Sequence, residues 1–175
     1  NRSEMRMTRL SDIALVPQAA LNSLNPVIRV ERQIIDGIID HAEDEKPTKE
    51  ELNDRVQELL RTVGLPSSVA RMFPHELSGG MKQRVAMAIA TSLSPKLIIA
   101  DEPTSALDVV VQRQIMETLG QLQKGLSASV ILIGHDMGLV AQFADTIGIM
   151  YAGKLVEFGP VEAIFENPQH PYTQA

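Results

Sequence analysis

The sequence predicts an α/β protein in which a mostly parallel sheet with flanking helices accompanies a separate α-helical part. After residue 94, short apolar runs alternate with segments of helical periodicity, which favours parallel strands joined by right-handed crossovers. Between residues 27 and 93, apolar residues recur at helical spacing without strand-like runs. We therefore predict the end of a core subdomain at 1–26, a helical subdomain at 27–93 and an α/β core at 94–175.

The first half of the chain predicts one strand followed by helices. Residues 13–16 form a short apolar run that Pro17 ends, as in a buried strand. Thr48 and Glu51 have the spacing of a capping box, in which each side chain bonds the other residue's backbone N–H. The predicted helices cover residues 28–39, 48–63 and 81–93.

The second half changes to alternating strands and helices. Apolar strands are predicted at 97–100, 129–133 and 146–150. Helical periodicity appears in residues 111–122 and again in residues 137–144. Residues 151–154 have the composition of a hairpin turn and precede a further strand at 155–158.

Composition limits the functions that the chain can have. The 175 residues carry a net charge of −6, which does not support a general nucleic-acid-binding surface. Zero Cys excludes disulfides, thiolate metal sites and a Cys nucleophile, and 3% aromatic residues without Trp disfavour base stacking. No apolar run approaches the ~20 residues of a membrane-spanning helix. The chain begins with Asn and has no signal peptide, and we interpret this start as a truncation.

A Ser-Gly-Gly turn, Ser78, Gly79 and Gly80, opens one predicted helix. Glycines let backbone N–H groups approach an anion closely, and a helix N-terminus favours negative charge. This turn could therefore hold a phosphate, although an ordinary helix cap with flexible glycines would have the same sequence.

Two acids follow the predicted strand 97–100. In parallel sheets, ligands gather at the carboxyl ends of strands. Asp101 could hold Mg²⁺ there, and Glu102 could deprotonate an attacking water. Successive strand residues point to opposite faces, so both acids serve one site only if the chain turns after Asp101, which Pro103 favours. The alternative is a strand that ends in solvated acids.

Two further polar residues follow apolar strands. His135 comes after the strand 129–133 and could bond a γ-phosphate near Glu102, or it could simply cap the following helix. Gln18 follows the first strand and could complete a Mg²⁺ shell or bond the attacking water. A solvated loop amide is the alternative for Gln18.

Together these motifs resemble the nucleotide-binding domains of ATP-binding-cassette (ABC) transporters. The motifs in family order are Gln18 (Q-loop), residues 77–81 with Gln83 and Arg84 (signature), residues 101–108 (Walker B and D-loop) and His135 (switch histidine). The resemblance covers essentially the whole chain. It implies the C-terminal part of a P-loop NTPase domain, with a RecA-like α/β core and an α-helical signature subdomain.

The resemblance also implies the role of each residue, with ATP and Mg²⁺ as cofactors. The implied catalytic residues are Glu102, His135 and Gln18. The implied nucleotide contacts are Ser78, Gly79, Gly80, Gln83 and Asp108. The implied metal ligands are Asp101 and Gln18. In the family, two domains pair head to tail, so Ser78 would contact a partner's ATP and Asp108 would lie at the dimer seam.

Three segments are similar to the ATPase subunits of dipeptide and oligopeptide importers, a group in which some members import nickel. They are residues 22–27, 108–112 and 167–173. Ala19, Val110 and Gly134 depart from the usual pattern of the group. The implied partners are a second, preferably different, ATPase subunit, a transmembrane permease and, indirectly, a solute-binding protein. The implied location is the cytoplasmic face of a bacterial or archaeal cell membrane.

The sequence contains no Gly-x-x-x-x-Gly-Lys-Ser/Thr loop, the Walker A element that wraps nucleotide phosphates. In the family this loop precedes the Q-loop, so we expect it upstream of Asn1 and expect this chain alone to be inactive. Two other readings remain: a truncated module that only donates its signature face, and an ABC ATPase of DNA repair or translation. The latter would carry coiled-coil insertions or duplicated cassettes, which this sequence lacks.

Overall fold

A computed structural model describes residues 8–18, 23–42 and 47–175 of the chain. The chain divides into two compact units, Asn1–Ile133 and Gly134–Ala175. The division into three segments at residues 26 and 93 stays a prediction.

The first unit contains a three-stranded parallel sheet. Its strands are β1 (Ile13–Val16), β2 (Leu97–Asp101) and β3 (Ser129–Ile133), in the order β1-β2-β3. Val16 pairs with Ala100, and Asp101 pairs with Ile133. The carboxyl ends of all three strands therefore lie at the same edge of the sheet, as the strand–helix alternation predicts.

One face of this sheet is buried and the other is not. Ala14, Val16, Ile98 and Ala100 are at most 1% exposed, and they join the main apolar core. Residues of the opposite face remain about half exposed: Ile13 41%, Leu15 57%, Ile131 49% and Ile133 47%. The expectation of a buried first strand is thus correct for alternate residues only, because the described helices pack on a single face.

Helices fill the rest of the first unit. They are α1 (Val30–Ile39), α2 (Lys49–Thr62), α3 (Gly79–Ala90) and α4 (Val109–Leu126), with short 3₁₀ turns at Ser67–Arg71 and Pro74–Glu76. The predicted capping box is confirmed, since Glu51 N donates to Thr48 Oγ1 at 3.3 Å and Thr48 N donates to Glu51 Oε2 at 2.8 Å. This second bond holds the pKa of Glu51 below its usual value. Leu60, Met87 and Ile115 lie fully inside the core.

The second unit is built on an antiparallel hairpin. Its elements are α5 (Met137–Ala141), β4 (Thr146–Tyr151), β5 (Lys154–Pro160), α6 (Val161–Glu166) and α7 (Pro171–Gln174). The predicted hairpin is confirmed, and Ile147, Ile149 and Ile164 form a small separate core. The strand predicted at 146–150 is present as β4, and it pairs antiparallel with β5.

Glu157 on β5 fastens the C-terminal segment of this unit. Its two carboxylate oxygens accept the backbone N–H groups of Gln169 at 2.7 Å and His170 at 3.1 Å. These bonds, first that of Gln169, hold the pKa of Glu157 below its usual value. The same segment places Tyr172 against Tyr151, with ring centroids 4.7 Å apart.

We expect this attachment to be lost in acid. Because the folded-state pKa of Glu157 is lowered, its contribution is present above the ordinary value of 4.5 and disappears as pH falls through the lower folded value. Tyr151 and Tyr172 are the only tyrosines and Trp is absent, so tyrosine fluorescence reports their contact. Glu157→Gln should show the detached signal already at neutral pH. The exposed Glu162→Gln should keep the wild-type titration; an identical titration in Glu157→Gln would contradict the assignment.

No helix within the described ranges is long and apolar enough to cross a membrane.

Candidate functional site

Gln18 and Glu102 meet at the carboxyl edge of the three-stranded sheet. Gln18 lies two residues beyond β1, and Glu102 directly follows β2. The side-chain amide of Gln18 donates from Nε2 to Glu102 Oε2 at 2.7 Å. A bond this short to a carboxylate is typical of a charge-assisted hydrogen bond. Two residues that the sequence predicts separately are therefore part of one constellation.

The backbone of Glu102 turns sharply out of β2. Its φ is +41°, a left-handed conformation that costs a residue other than Gly about 1–3 kcal/mol. Two hydrogen bonds hold this conformation: Glu102 N donates to Ile133 O at 2.9 Å, and Ser105 N donates to Glu102 O at 3.1 Å. The strand thus ends at Asp101 and the chain turns at once, which is the condition for both acids to serve one site.

The donor atoms at this edge fit a magnesium ion. Asp101, the last residue of β2, is partly buried, and it offers carboxylate oxygens as Gln18 offers an amide oxygen. Mg²⁺ prefers such hard oxygen donors and is usually held by one or two carboxylates together with water and substrate phosphates. Over residues 8–18, 23–42 and 47–175, no three His, Cys, Asp or Glu side chains gather into a metal site. The residues therefore fit an ion shared with a nucleotide.

The turn that follows Glu102, residues 103–108, is held by local hydrogen bonds. Ala106 has a φ of +62°, and Gln112 Nε2 donates to Thr104 O at 3.3 Å. Asp108 is exposed and caps α4, because its Oδ1 accepts from Val111 N at 3.0 Å. The carboxylate of Asp108 thus fixes the start of a helix at the surface.

The Ser-Gly-Gly residues form the N-terminus of α3. Ser78 is exposed and is the cap residue, with its Oγ accepting from Met81 N at 3.3 Å. Gly79 and Gly80 occupy the first two helical positions. This geometry is compatible with an ordinary helix cap and with a phosphate-binding turn, because the capped turn also presents backbone N–H groups at a helix N-terminus.

Gln83 does not belong to that surface. Its side chain is 2% exposed within α3, and its Nε2 has no hydrogen-bond partner among the described residues. The helix turns this position toward the core, and the expected nucleotide contact of Gln83 stays a prediction. Arg84, next in sequence, instead donates to the end of α2, with Nη1 3.2 Å from Val63 O.

His135 lies near the start of the second unit and is exposed. The next residue, Asp136, caps α5 by accepting from Leu139 N at 2.9 Å, so the cap expected from a strand-end residue is provided by Asp136. The proximity of His135 to Glu102 stays a prediction. At Gly134 a Cβ would lie 3.5 Å from Val140 Cγ2, an ordinary contact, so this departure from the family pattern has no steric origin. Ala19 lies outside the described residues.

Comparison with protein families gives the class of this chain. The family model for the ABC transporter matches residues 2–105, more than half of the 175 residues. The chain belongs to the ABC transporter family. The family resemblance and the α/β fold class predicted from the sequence are confirmed.

Within this family, the chain is similar to ATP-binding proteins of peptide transport. The chain is 47% identical over 175 residues to the oligopeptide transport ATP-binding protein OppD of Bacillus subtilis. This match covers 99% of this chain and 48% of that protein. It is 50% identical over 167 residues to the dipeptide transport ATP-binding protein DppD of Haemophilus influenzae, covering 94% and 50%. The chain thus spans about half the length of the curated relatives it matches.

Solved structures show the same fold. The chain is similar to cbiO1 from Clostridium perfringens, part of the ABC transporter complex cbiONQ, with a TM-score of 0.82 and 29% identity over 95% of this chain and 64% of that one. It is also similar to a dimeric bacterial ABC transporter cassette, with a TM-score of 0.80 and 28% identity over 92% of this chain and 68% of that one. The post-hydrolysis form of that cassette is bound to ADP and phosphate, and its TM-score is 0.78.

Proposed function

We propose that this chain is part of an ATPase subunit that energises the import of dipeptides or oligopeptides. The observation that carries the proposal is the identity of 47% and 50% to two peptide transport ATP-binding proteins over almost the whole chain. The contact between Gln18 and Glu102 supports it, since it joins an amide and a carboxylate where hydrolysis needs a positioned water.

In this proposal Glu102 is the general base. Its carboxylate takes a proton from a water whose oxygen attacks the γ-phosphorus of ATP, and the bond from that phosphorus to the β–γ bridging oxygen breaks to release ADP and phosphate. Gln18 holds the carboxylate in place through its 2.7 Å bond, and His135 bonds the γ-phosphate. Asp101 and Gln18 would hold Mg²⁺, which when bound neutralises charge on the β- and γ-phosphates.

The Ser78 turn serves a different nucleotide in this proposal. In a head-to-tail dimer, Ser78, Gly79 and Gly80 contact ATP that is held mainly by the partner subunit, and Asp108 lies at the seam. A dimeric cassette among the similar structures supports such pairing. The further partners in this proposal are a transmembrane permease and, through it, a peptide-binding protein. The proposed location is the cytoplasmic face of the cell membrane, and the proposed pair is a heterodimer.

The test uses the full-length gene product, co-purified with its permease and reconstituted in liposomes. Hydrolysis of ATP should require Mg²⁺ and should rise when a binding protein loaded with a short peptide is added. The matched control is the same binding protein without peptide. Stimulation by Ni²⁺ but not by peptides would reject peptide as the cargo, and no hydrolysis under any condition would reject the ATPase.

A second candidate function rests on one sequence observation, the lack of Gly-x-x-x-x-Gly-Lys-Ser/Thr in these 175 residues. A polypeptide without such a loop anywhere would only donate its Ser78 turn to a partner's ATP. Mass spectrometry of the protein isolated from cells, together with the sequence upstream of the codon for Asn1, separates the two candidates. A lysine loop in the isolated protein supports the ATPase, whereas its absence supports the donor module.

A further inference from the structure

Helices α3 and α4 touch at their first turns. A Cβ built on Gly80 would lie 2.6 Å from Cγ1 of Val111. Carbon atoms normally pack at about 3.5–4.0 Å, so α4 leaves no room for a side chain at position 80. The glycine is therefore required by a neighbour in the same chain, whatever ligand its backbone meets.

Val111 has little freedom to move away. Valine in a helix keeps one χ1 rotamer in roughly 90% of cases. The backbone N–H of Val111 donates to Asp108 Oδ1 at 3.0 Å, and its side chain packs against the main core. A methyl group added at Gly80 would therefore displace α3, or the turn that ends at Asp108, rather than the valine alone.

A hydrogen bond also joins α3 and α4, about one turn further along. Arg84, four residues after Gly80, donates from Nη2 to Gln114 Oε1 at 3.4 Å. Gln114 lies three residues after Val111, so both links lie along the same pair of helix faces. Arg84 Nη1 also bonds Val63 O, which attaches α3 to the end of α2. The first half of α3 is thus held by α4 at Gly80 and by both α2 and α4 at Arg84.

We propose that Val111 is a positioning residue that keeps the Ser78 turn in fixed register with the turn ending at Asp108. The inference rests on the proposed function, in which Ser78 serves a partner's nucleotide and Asp108 lies at the dimer seam. Through Val111, a displacement at one of these two turns reaches the other within the same chain. Gly80 accordingly has a packing role in addition to any contact between its backbone and ATP.

The experiment is a double-mutant cycle in the full-length protein with its partner subunits. Gly80→Ala should raise the KM for ATP by roughly tenfold or more, with a smaller change in kcat, because overpacking displaces the turn that binds nucleotide. Val111→Ala removes both γ-methyl groups, Cγ1 included, and should raise the KM by less than Gly80→Ala does. The double variant should recover to within about threefold of wild type, since the methyl group added at position 80 then occupies the vacated space. Recovery of KM is the readout that a general loss of stability would not give.

Gly120→Ala is the matched control, because a Cβ at Gly120 on the same helix α4 meets nothing within 4 Å. This variant should keep the wild-type KM, and its melting temperature should equal or slightly exceed that of wild type, because Ala favours a helix more than Gly does. A double variant as impaired as Gly80→Ala would overturn the inference and would assign the glycine to the nucleotide alone. Melting temperatures measured without ATP separate the two proposals. If the wild-type protein hydrolyses no ATP, the proposed function fails. The melting temperature of the double variant, compared with that of Gly80→Ala, still tests the packing of Gly80 against Val111.

Discussion

Replacing Glu102 by Gln is expected to lower ATP hydrolysis by roughly 10²–10⁴-fold while ATP binding is retained. The amide has the shape of the carboxylate, and its oxygen can still accept the bond that Gln18 Nε2 gives to Glu102 at 2.7 Å in the wild-type chain. What the amide cannot do is take a proton from water. Steady-state kcat and the ATP dissociation constant, measured on the full-length protein with its partners, give the two quantities to compare.

Glu50→Gln provides the control for this experiment. Glu50 is an exposed residue on α2, so the substitution removes the same charge far along the chain from the sheet edge. It should leave kcat within about twofold of wild type. Near-normal turnover in Glu102→Gln would remove Glu102 from the role of general base.

The backbone at Glu102 gives this prediction further support. A non-glycine residue at φ +41° stores strain, and such strain is commonly found at functional sites because the surrounding structure imposes it. Here the bonds to Ile133 O and from Ser105 N impose it, and the result is a carboxylate aimed at Gln18. A strand that simply ended in solvated acids would need neither the bonds nor the strain.

Local features of the fold can be predicted from the sequence because they depend on neighbouring residues. The capping box of Thr48 and Glu51, the parallel strands β1 to β3 and the hairpin of β4 and β5 all follow from short patterns. The exposure of alternate residues of β1 does not, since burial depends on contacts between distant segments. Helices α6 and α7 are too short to show helical periodicity, although Pro171 at the first position of α7 is favourable for starting a helix.

The candidate site likewise has residues whose placement the sequence predicts and residues whose placement it does not. Gln18, Asp101 and Glu102 are predictable because each follows an apolar strand, and adjacent parallel strands bring them to one edge. The burial of Gln83 cannot be predicted in this way, because a motif gives no information on which side of a helix faces the core. Val111 has no motif at all: its contact with Gly80 depends on how α3 and α4 pack, which no short sequence pattern specifies.

Gln18→Glu should impair the same site in a pH-dependent manner. The new carboxylate would stand where an amide N–H donates to Glu102 Oε2 at 2.7 Å. Two carboxylates this close repel each other, which favours a proton shared between them and opposes full ionisation of the pair. Both that shared proton and the lost N–H donor would weaken Glu102 as a base. We expect kcat at pH 7 to fall roughly tenfold to a hundredfold and to recover as pH rises and the pair loses its proton.

Gln18→Ala separates the effect of charge from the loss of the hydrogen bond. It removes the donor to Glu102 without adding an acid, so kcat should fall while the shape of its pH dependence stays that of wild type. The measurement is kcat from about pH 6 to about pH 9 at saturating ATP and Mg²⁺, a range that brackets neutral pH, with Mg²⁺ titrated at each pH because Gln18 is also a proposed ligand. If Gln18→Glu and Gln18→Ala gave the same pH profile, the bond between Gln18 and Glu102 would have no part in proton transfer. A profile displaced toward alkaline pH in Gln18→Glu alone would instead place both side chains at the water that attacks ATP.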